Sequence, residues 1–189
     1  MNPYNVLMLP LEKLVLSRIR KEIISKAYGN VLEIGYGTGV NFRYYRLDTI
    51  ERVSALDTKI NLLNTKKLKF PVELYEGRAE ELPFESESFD TVVETLVFCS
   101  IEDLTSALRE IQRVLKPGGI FLFVDHVKPE KKRLAGLAES INWFWHDMAG
   151  GCNLLNESHK AIEASGLTID RRGSSSNGII RWGIGIKTK

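Results

Sequence analysis

Val31-Leu32-Glu33-Ile34-Gly35-Tyr36-Gly37-Thr38-Gly39-Val40-Asn41 is the stretch whose reading decides the fold. An apolar run carrying one acidic residue enters a loop with glycine at every second position. The pattern reads as a buried parallel strand whose C-terminal turn lays bare backbone against a flat or anionic ligand. Side chains at Gly35, Gly37 and Gly39 would hold the chain away from that ligand. A dinucleotide fingerprint needs G-x-G-x-x-G, with the third glycine opening a helix under a pyrophosphate. Here that position is Val40, and the third glycine falls one residue early. A phosphate-binding P-loop would end in Gly-Lys-Ser/Thr, which is absent. An ordinary tight βα turn would leave the same trace, so the rest of the chain must discriminate.

Outward from this loop, the elements alternate. Upstream, Leu11, Leu14, Val15, Ile19 and Ile23 fall at helical spacing, which predicts an amphipathic helix over 11–25. Downstream, a short helix is expected over 41–47. Strands follow at 52–56 (ending at Asp57), 72–75 and 91–96. Leu104, Ala107, Leu108, Ile111, Val114 and Leu115 mark one helical stripe, which Lys116-Pro117-Gly118-Gly119 should stop. The run Ile120–Val124 is apolar throughout, as a central parallel strand buried on both faces should be. Residues 128–152, basic at the start and aromatic in the middle, read as an insertion with its own helix, and 157–165 as a further helix. Two closely spaced strands, 167–171 and 179–187, should form an antiparallel hairpin. The sum is an α/β fold: a Rossmann-like, doubly wound, mostly parallel seven-stranded sheet with an antiparallel C-terminal hairpin. A single domain over 1–189 is expected, with a helical segment over 1–28 and an acceptor-side insertion over 128–156.

Composition narrows the partners. Hydrophobic residues make up 43% and charged residues 26%, as in globular proteins. A net charge of +2 is too small to argue for nucleic acid. No segment approaches the roughly 18 apolar residues of a membrane span, and the N-terminus lacks a signal peptide's order of regions. Cys99 and Cys152 read as neither a disulfide scaffold nor a metal cluster, and His126, His146 and His159 show no metal-ligand spacing. No metal is expected, and a cytoplasmic setting is.

The E-x-G-x-G-x-G arrangement resembles motif I of the class I S-adenosylmethionine-dependent methyltransferases. Gly77-Arg78-Ala79-Glu80-Glu81-Leu82-Pro83-Phe84 and Ser88-Phe89-Asp90 resemble the G-D-A-x-x-L-P-F…S-F-D signature of its common small-molecule subgroup. The resemblance implies S-adenosyl-L-methionine as cofactor, held by Glu33, Gly35, Tyr36, Gly37, Thr38, Gly39, Asp57, Thr58, Ala79, Glu80, Thr95 and Leu96. Asp57 would accept hydrogen bonds from both ribose hydroxyls, or else cap a short helix. Glu33 would orient loop N–H groups or hold the cofactor's ammonium, or serve as a structural carboxylate. Arg78 departs from the signature, since a guanidinium cannot accept a bond from the adenine amino group. Adenine recognition would then rest on the Ala79 backbone and Glu80.

A narrower resemblance is carried by Gly77-Arg78-Ala79-Glu80, Thr95–Ser100, Arg113–Gly119, Asp125-His126-Val127, Trp145-His146 and Gly151-Cys152-Asn153-Leu154. These are similar to the methyltransferase-like family, whose animal members are membrane-associated thiol S-methyltransferases. No N-terminal anchor like theirs is evident, so their membrane location is not expected here. Soluble bacterial phosphatidylethanolamine N-methyltransferases share the core, which keeps lipid amines beside thiols as acceptors. His126 is the candidate base or polariser, oriented by Asp125 or Glu94, or else a capping or supporting hydrogen-bond group. Cys99, Trp143, Trp145 and His146 are candidate acceptor-side residues. The aromatics would lid an apolar pocket or form the insertion's core, Phe144 most readily the latter. Both cysteines read as buried packing, because methyl transfer needs no covalent intermediate. Lys128, Lys131, Lys132 and Arg133 beside the aromatics would allow weak peripheral membrane contact, or simply solvate a helix start. Two rivals remain: a non-catalytic cofactor-binding module and, less favoured, a nicotinamide-dependent oxidoreductase.

Overall fold

The computed structural model describes residues 15–60, 68–149, 151–175 and 177–188. Seven strands form one sheet: β1 (Gly29–Ile34), β2 (Ile50–Asp57), β3 (Val72–Glu76), β4 (Phe89–Thr95), β5 (Leu115–His126), β6 (Thr168–Ser174) and β7 (Ile180–Ile186). Their order is β3-β2-β1-β4-β5-β7-β6. The first five are mutually parallel, and β7 alone runs antiparallel to both its neighbours. This is the expected Rossmann-like sheet with its reversed hairpin strand.

The helices are α1 (Ser17–Ile24), α2 (Leu104–Val114), α3 (Lys132–Met148) and α4 (Ser158–Ala164). Residues 11–14 of the first expected helix lie outside the described residues. The short helix expected after the glycine loop is a 3₁₀ turn, Val40–Tyr44.

Period-two alternation splits the core between the two faces. Val31, Val53, Val93, Leu122 and Val124 pack with Ile19, Ile23 and Ile24 of α1. Their strand neighbours Leu32, Val92, Phe121 and Phe123 pack with Ala107, Leu108, Ile111 and Val114 of α2. The Asp103 side chain accepts the Ser106 N–H at 3.0 Å, so α2 begins at a capped turn.

The helix ends at Val114, just ahead of Lys116-Pro117-Gly118-Gly119 as expected, but Leu115 opens β5 rather than closing the helix, and the four residues belong to that strand. Neighbouring groups hold the segment extended. Lys116 pairs with Asp90 at 2.7 Å, Gly118 N–H reaches the Lys187 carbonyl at 2.8 Å, and Lys187 N–H returns to Gly119 at 3.0 Å.

Candidate active site

The strand order reverses at β1, which lies between β2 and β4. Open α/β sheets bind ligands at such a switch point, outside the strands' carboxyl ends. A cleft of about 310 Å³ lies there, walled by the segments that follow β1, β2, β3 and β4. Of the expected cofactor residues, Gly35, Asp57, Thr58, Ala79, Glu80 and Leu96 line it. Ile34, Leu56, Ser100, Ile101 and Glu102 line it too, and the sequence reading missed them. Their apolar or ordinary polar character carried no local signal.

The loop's glycines differ in their reasons. Gly35 has φ +66°, and a Cβ there would sit 2.3 Å from Val97 Cγ2. Gly37 has φ +51° with nothing within 4 Å of a Cβ, so its front faces open space. Its N–H donates to Asp57 Oδ2 at 2.8 Å. One carboxylate oxygen thus clamps the loop, while Asp57 itself lines the cleft. Thr58 Oγ1 stands 3.5 Å from Oδ1. Residues 58–60, which follow Asp57, are not helical, so it caps no helix that starts there.

Glu33 lies beneath the loop, fully buried. Asn41 Nδ2 donates to its Oε1 at 3.0 Å and Tyr45 Oη to its Oε2 at 2.7 Å. Both oxygens are therefore engaged by side chains. Burial raises its pKa from 4.5 to about 7, against the lowering effects of Tyr45, Asn41 and Arg20. Thr95 Oγ1 accepts from Arg20 at 2.8 Å and from Asn41 at 3.0 Å, which makes it part of the same buried floor. Tyr36 is buried, Thr38 is exposed, and Gly39 takes a left-handed φ of 71° to start the 3₁₀ turn.

The far wall is braced from α2. Arg113 donates to the carbonyls of Phe84 and Leu82 at 2.8 and 3.1 Å, and Glu110 accepts the Leu82 N–H at 2.8 Å. This fixes the turn carrying Ala79 and Glu80. Arg78 at the cleft mouth pairs with Glu80 at 2.9 Å and Glu102 at 3.5 Å.

Leu96 is a non-glycine residue at φ +59°, a strained conformation for a bulky side chain. Its N–H donates to the Val124 carbonyl at 2.8 Å, which holds the turn against β5. Glu94 Oε1 accepts the N–H groups of Val97 and Phe98 at 2.7 and 3.3 Å.

Behind Leu96 and Ser100 lies a group the sequence did not join. Asn153 N–H donates to the Cys99 carbonyl at 2.9 Å, which draws the 151–156 segment over β4. His126 Nε2 then stands 2.9 Å from Cys152 Sγ, and Trp145 Nε1 donates to that sulfur at 3.2 Å. One ligand atom each of Cys99, His126 and Cys152 lies within 4.8 Å of the others. The hydrogen bond from Cys99, then His126, pulls the Cys152 thiol down to about 4. The same bond, with burial, pushes Cys99 up. Burial opposes the His126 cation, but Cys152 and Asp125 outweigh it and raise its pKa.

The expected orientation of His126 by an acid is not what the structure shows. Asp125 accepts the His126 backbone N–H, Asn156 Nδ2 and Ser158 Oγ, and Glu94 serves the turn after β4. His126 Nδ1 is buried and has no hydrogen-bond partner among the described residues. The aromatic stretch also divides. Trp143 is 75% exposed and Phe144 53%, which corrects the reading of Phe144 as insertion core. Trp145 alone turns inward, and His146 is exposed. Among the described residues, no helix is long and apolar enough to cross a membrane.

The order β3-β2-β1-β4-β5-β7-β6 with β7 reversed, together with a glycine loop after β1 and an acid at the end of β2, matches a Rossmann-like methyltransferase fold. Residues 32–123, just under half of the chain, match the family model described as a methyltransferase domain. It is 33% identical over 155 residues to the human thiol S-methyltransferase TMT1A, covering 74% of this chain and 60% of that protein. It is also 33% identical over 148 residues to mouse thiol S-methyltransferase TMT1B, covering 71% and 59%. The chain thus spans about 60% of the length of these curated relatives. Among solved structures, the YcgJ protein of Bacillus subtilis superposes with a TM-score of 0.70 at 20% identity, over 92% of this chain and 98% of that one.

Proposed function

We propose that this chain transfers a methyl group from S-adenosylmethionine to the sulfur of a small thiol. The observation that carries the cofactor half is the Gly37 N–H to Asp57 Oδ2 bond. It fixes a side-chain-free loop in front of a carboxylate that lines the cleft. The residues fit the cofactor: open space before Gly37, Asp57 for the ribose hydroxyls, and Ala79 and Glu80 for the base. Bound there, S-adenosylmethionine supplies a methyl on a sulfonium whose thioether leaves neutral. Alignment and exclusion of water then account for much of the catalysis. The glycine loop, Asp57 and the Arg113-braced turn supply that alignment from this chain. Leu96 and Ser100 mark the acceptor end, because the cysteine–histidine cluster adjoins both. The thiol acceptor is supported by that sulfur-rich surrounding and by the two relatives' names.

A lipid-like acceptor is the second reading, favoured by one observation. The outer face of α3 exposes Leu137, Ile141, Trp143 and Phe144, with Lys131, Lys132 and Arg133 at its start. Its basic residues and apolar side chains suit an amphiphilic acceptor or a membrane surface.

Calorimetric titration with S-adenosylmethionine and with NAD tests the cofactor. Binding of the first alone is expected; binding of NAD alone would overturn the class. In Asp57→Asn, Oδ1 can keep the Gly37 bond, but the Nδ2 that replaces the other carboxylate oxygen cannot accept from a ribose hydroxyl. A hydrogen bond to a charged group is worth about 1.5–3 kcal/mol, so affinity should fall roughly tenfold to a hundredfold. Turnover of a thiol panel against phosphatidylethanolamine vesicles separates the two acceptors.

A further inference from the structure

We propose that Cys99, His126 and Cys152 form a zinc site whose fourth position receives the acceptor thiol as a thiolate. The proposal rests on the thiol reading for its second half only. Its first half, metal binding, stands on the geometry of the cluster.

Three soft or borderline ligand atoms from three separate segments converge within 4.8 Å. Cys99 comes from the turn after β4, His126 from the end of β5, and Cys152 from the segment following α3. Zinc bonds of about 2.3 Å to sulfur and 2.0–2.1 Å to nitrogen place tetrahedral ligand atoms about 3.5–3.8 Å apart. The sulfur–nitrogen separation of 2.9 Å and the 4.8 Å limit bracket that spacing. Small side-chain adjustments suffice to admit the ion. Cys152 and Cys99 are 4% and 5% exposed, so the site is largely dry. Trp145 Nε1–H on Cys152 Sγ supplies the kind of outer hydrogen bond that fixes a metal thiolate.

Two cysteines and one histidine are three protein ligands, which in zinc enzymes leave a position for substrate or water. The direction of that position follows from the neighbours. Cys99 Sγ lies 3.8 Å from the Leu96 carbonyl and 3.8 Å from Ser100 Oγ. Leu96 and Ser100 both line the cofactor cleft. The metal would therefore stand one residue behind the cleft wall, on the acceptor side. A thiol that coordinates zinc is deprotonated outright: the sulfur–hydrogen bond breaks, the proton passes to water, and the electron pair remains on sulfur to bind the metal. This supplies a nucleophilic sulfur without an acid-oriented histidine, which the structure does not provide.

The test uses the whole chain, stripped with a chelator and kept reduced, and needs neither cofactor nor turnover. Zinc is titrated against a chromophoric chelator, and cobalt is added in parallel as a spectroscopic probe. One equivalent of metal and a thiolate-to-cobalt charge-transfer band are expected. The band should weaken in Cys99→Ser and Cys152→Ser, with circular dichroism confirming that each variant is folded. His126→Ala should bind at least about tenfold more weakly, since even outer-shell partners are worth about 10–100-fold. A small thiol should then shift the cobalt spectrum, and an amine should not. Absence of binding in excess zinc, binding unchanged in all three variants, or a Cys99–Cys152 disulfide that persists under the reductant would each overturn the site. A cobalt spectrum indifferent to thiols would overturn the role of its fourth position. Thiol methylation by zinc-free protein would also overturn that role and leave the proposed function standing. Zinc binding in a protein that methylates no thiol would overturn the proposed function and the role of the fourth position with it, and leave the metal site standing.

Discussion

Replacing Glu33 by glutamine should change how stability depends on pH, and the size of the change can be worked out from the burial of this one carboxyl. Glu33 is 1% exposed, faces Asn41, Tyr45 and Arg20, and is held protonated up to about pH 7 by burial. Its ordinary value of 4.5 applies in the unfolded chain. Between these values the unfolded chain has lost the proton and the folded one retains it. The unfolded state then binds fewer protons, so stability falls as pH rises. The contribution is fully present below pH 4.5 and is lost by the time pH has passed about 7. A difference of about 2.5 units at about 1.36 kcal/mol each amounts to roughly 3 kcal/mol. Glutamine cannot titrate, and its amide can still meet Asn41 and Tyr45. The wild type should therefore lose roughly 3 kcal/mol relative to Glu33→Gln between pH 4 and pH 8. Urea denaturation at a series of pH values, followed by circular dichroism, measures this directly. Lost hydrogen bonding in the variant adds only a constant offset. Two stability curves that run parallel across the range would refute the assignment of Glu33 as a buried neutral acid.

Other substitutions probe the loop and the outer helix. Gly35→Ala places a Cβ 2.3 Å from Val97 Cγ2 at φ +66°, so thermal melting should show a loss well beyond the 1–2 kcal/mol of left-handed strain alone. Gly37→Ala, which meets nothing within 4 Å, should cost only about that strain yet abolish calorimetric binding of S-adenosylmethionine. Equal melting losses in the two variants would break this distinction. Trp143→Ala and Phe144→Ala remove largely exposed rings and should change stability by less than about 0.5 kcal/mol. If the face of α3 contacts lipid, both should weaken binding to anionic vesicles in a flotation assay.

Much of the architecture was legible because its signals are local. Unbroken apolar runs such as Ile120–Val124 mark strands buried on both faces, and the stripe from Leu104 to Val114 marks a helix by its own period. Glycines at 35, 37 and 39 announced a tight turn, which all three enter with left-handed φ, and Asp57 announced the acid at the end of β2. Lys116–Gly119 marked the end of a helix because proline and glycine punctuate helices locally, but nothing local showed that the neighbouring strand and Lys187 hold the segment extended as the start of β5. Phe144 misled: helical spacing places residues on a face and does not say what covers it.

The sequence alone determined the alternation of strands and helices, the reversed hairpin and the glycine loop with its acid, since each is written within a few consecutive residues. Only the tertiary structure decided that Leu96 is forced left-handed against Val124, that Asp57 spends one oxygen on Gly37, and that Glu33 is sealed under Tyr45 and Asn41. It alone brought Cys99, His126 and Cys152 together. The physical reason is that β4 and β5 become neighbours through sheet pairing, and the chain after α3 returns through a main-chain bond to Cys99. Neither relation leaves a period or a spacing in the chain.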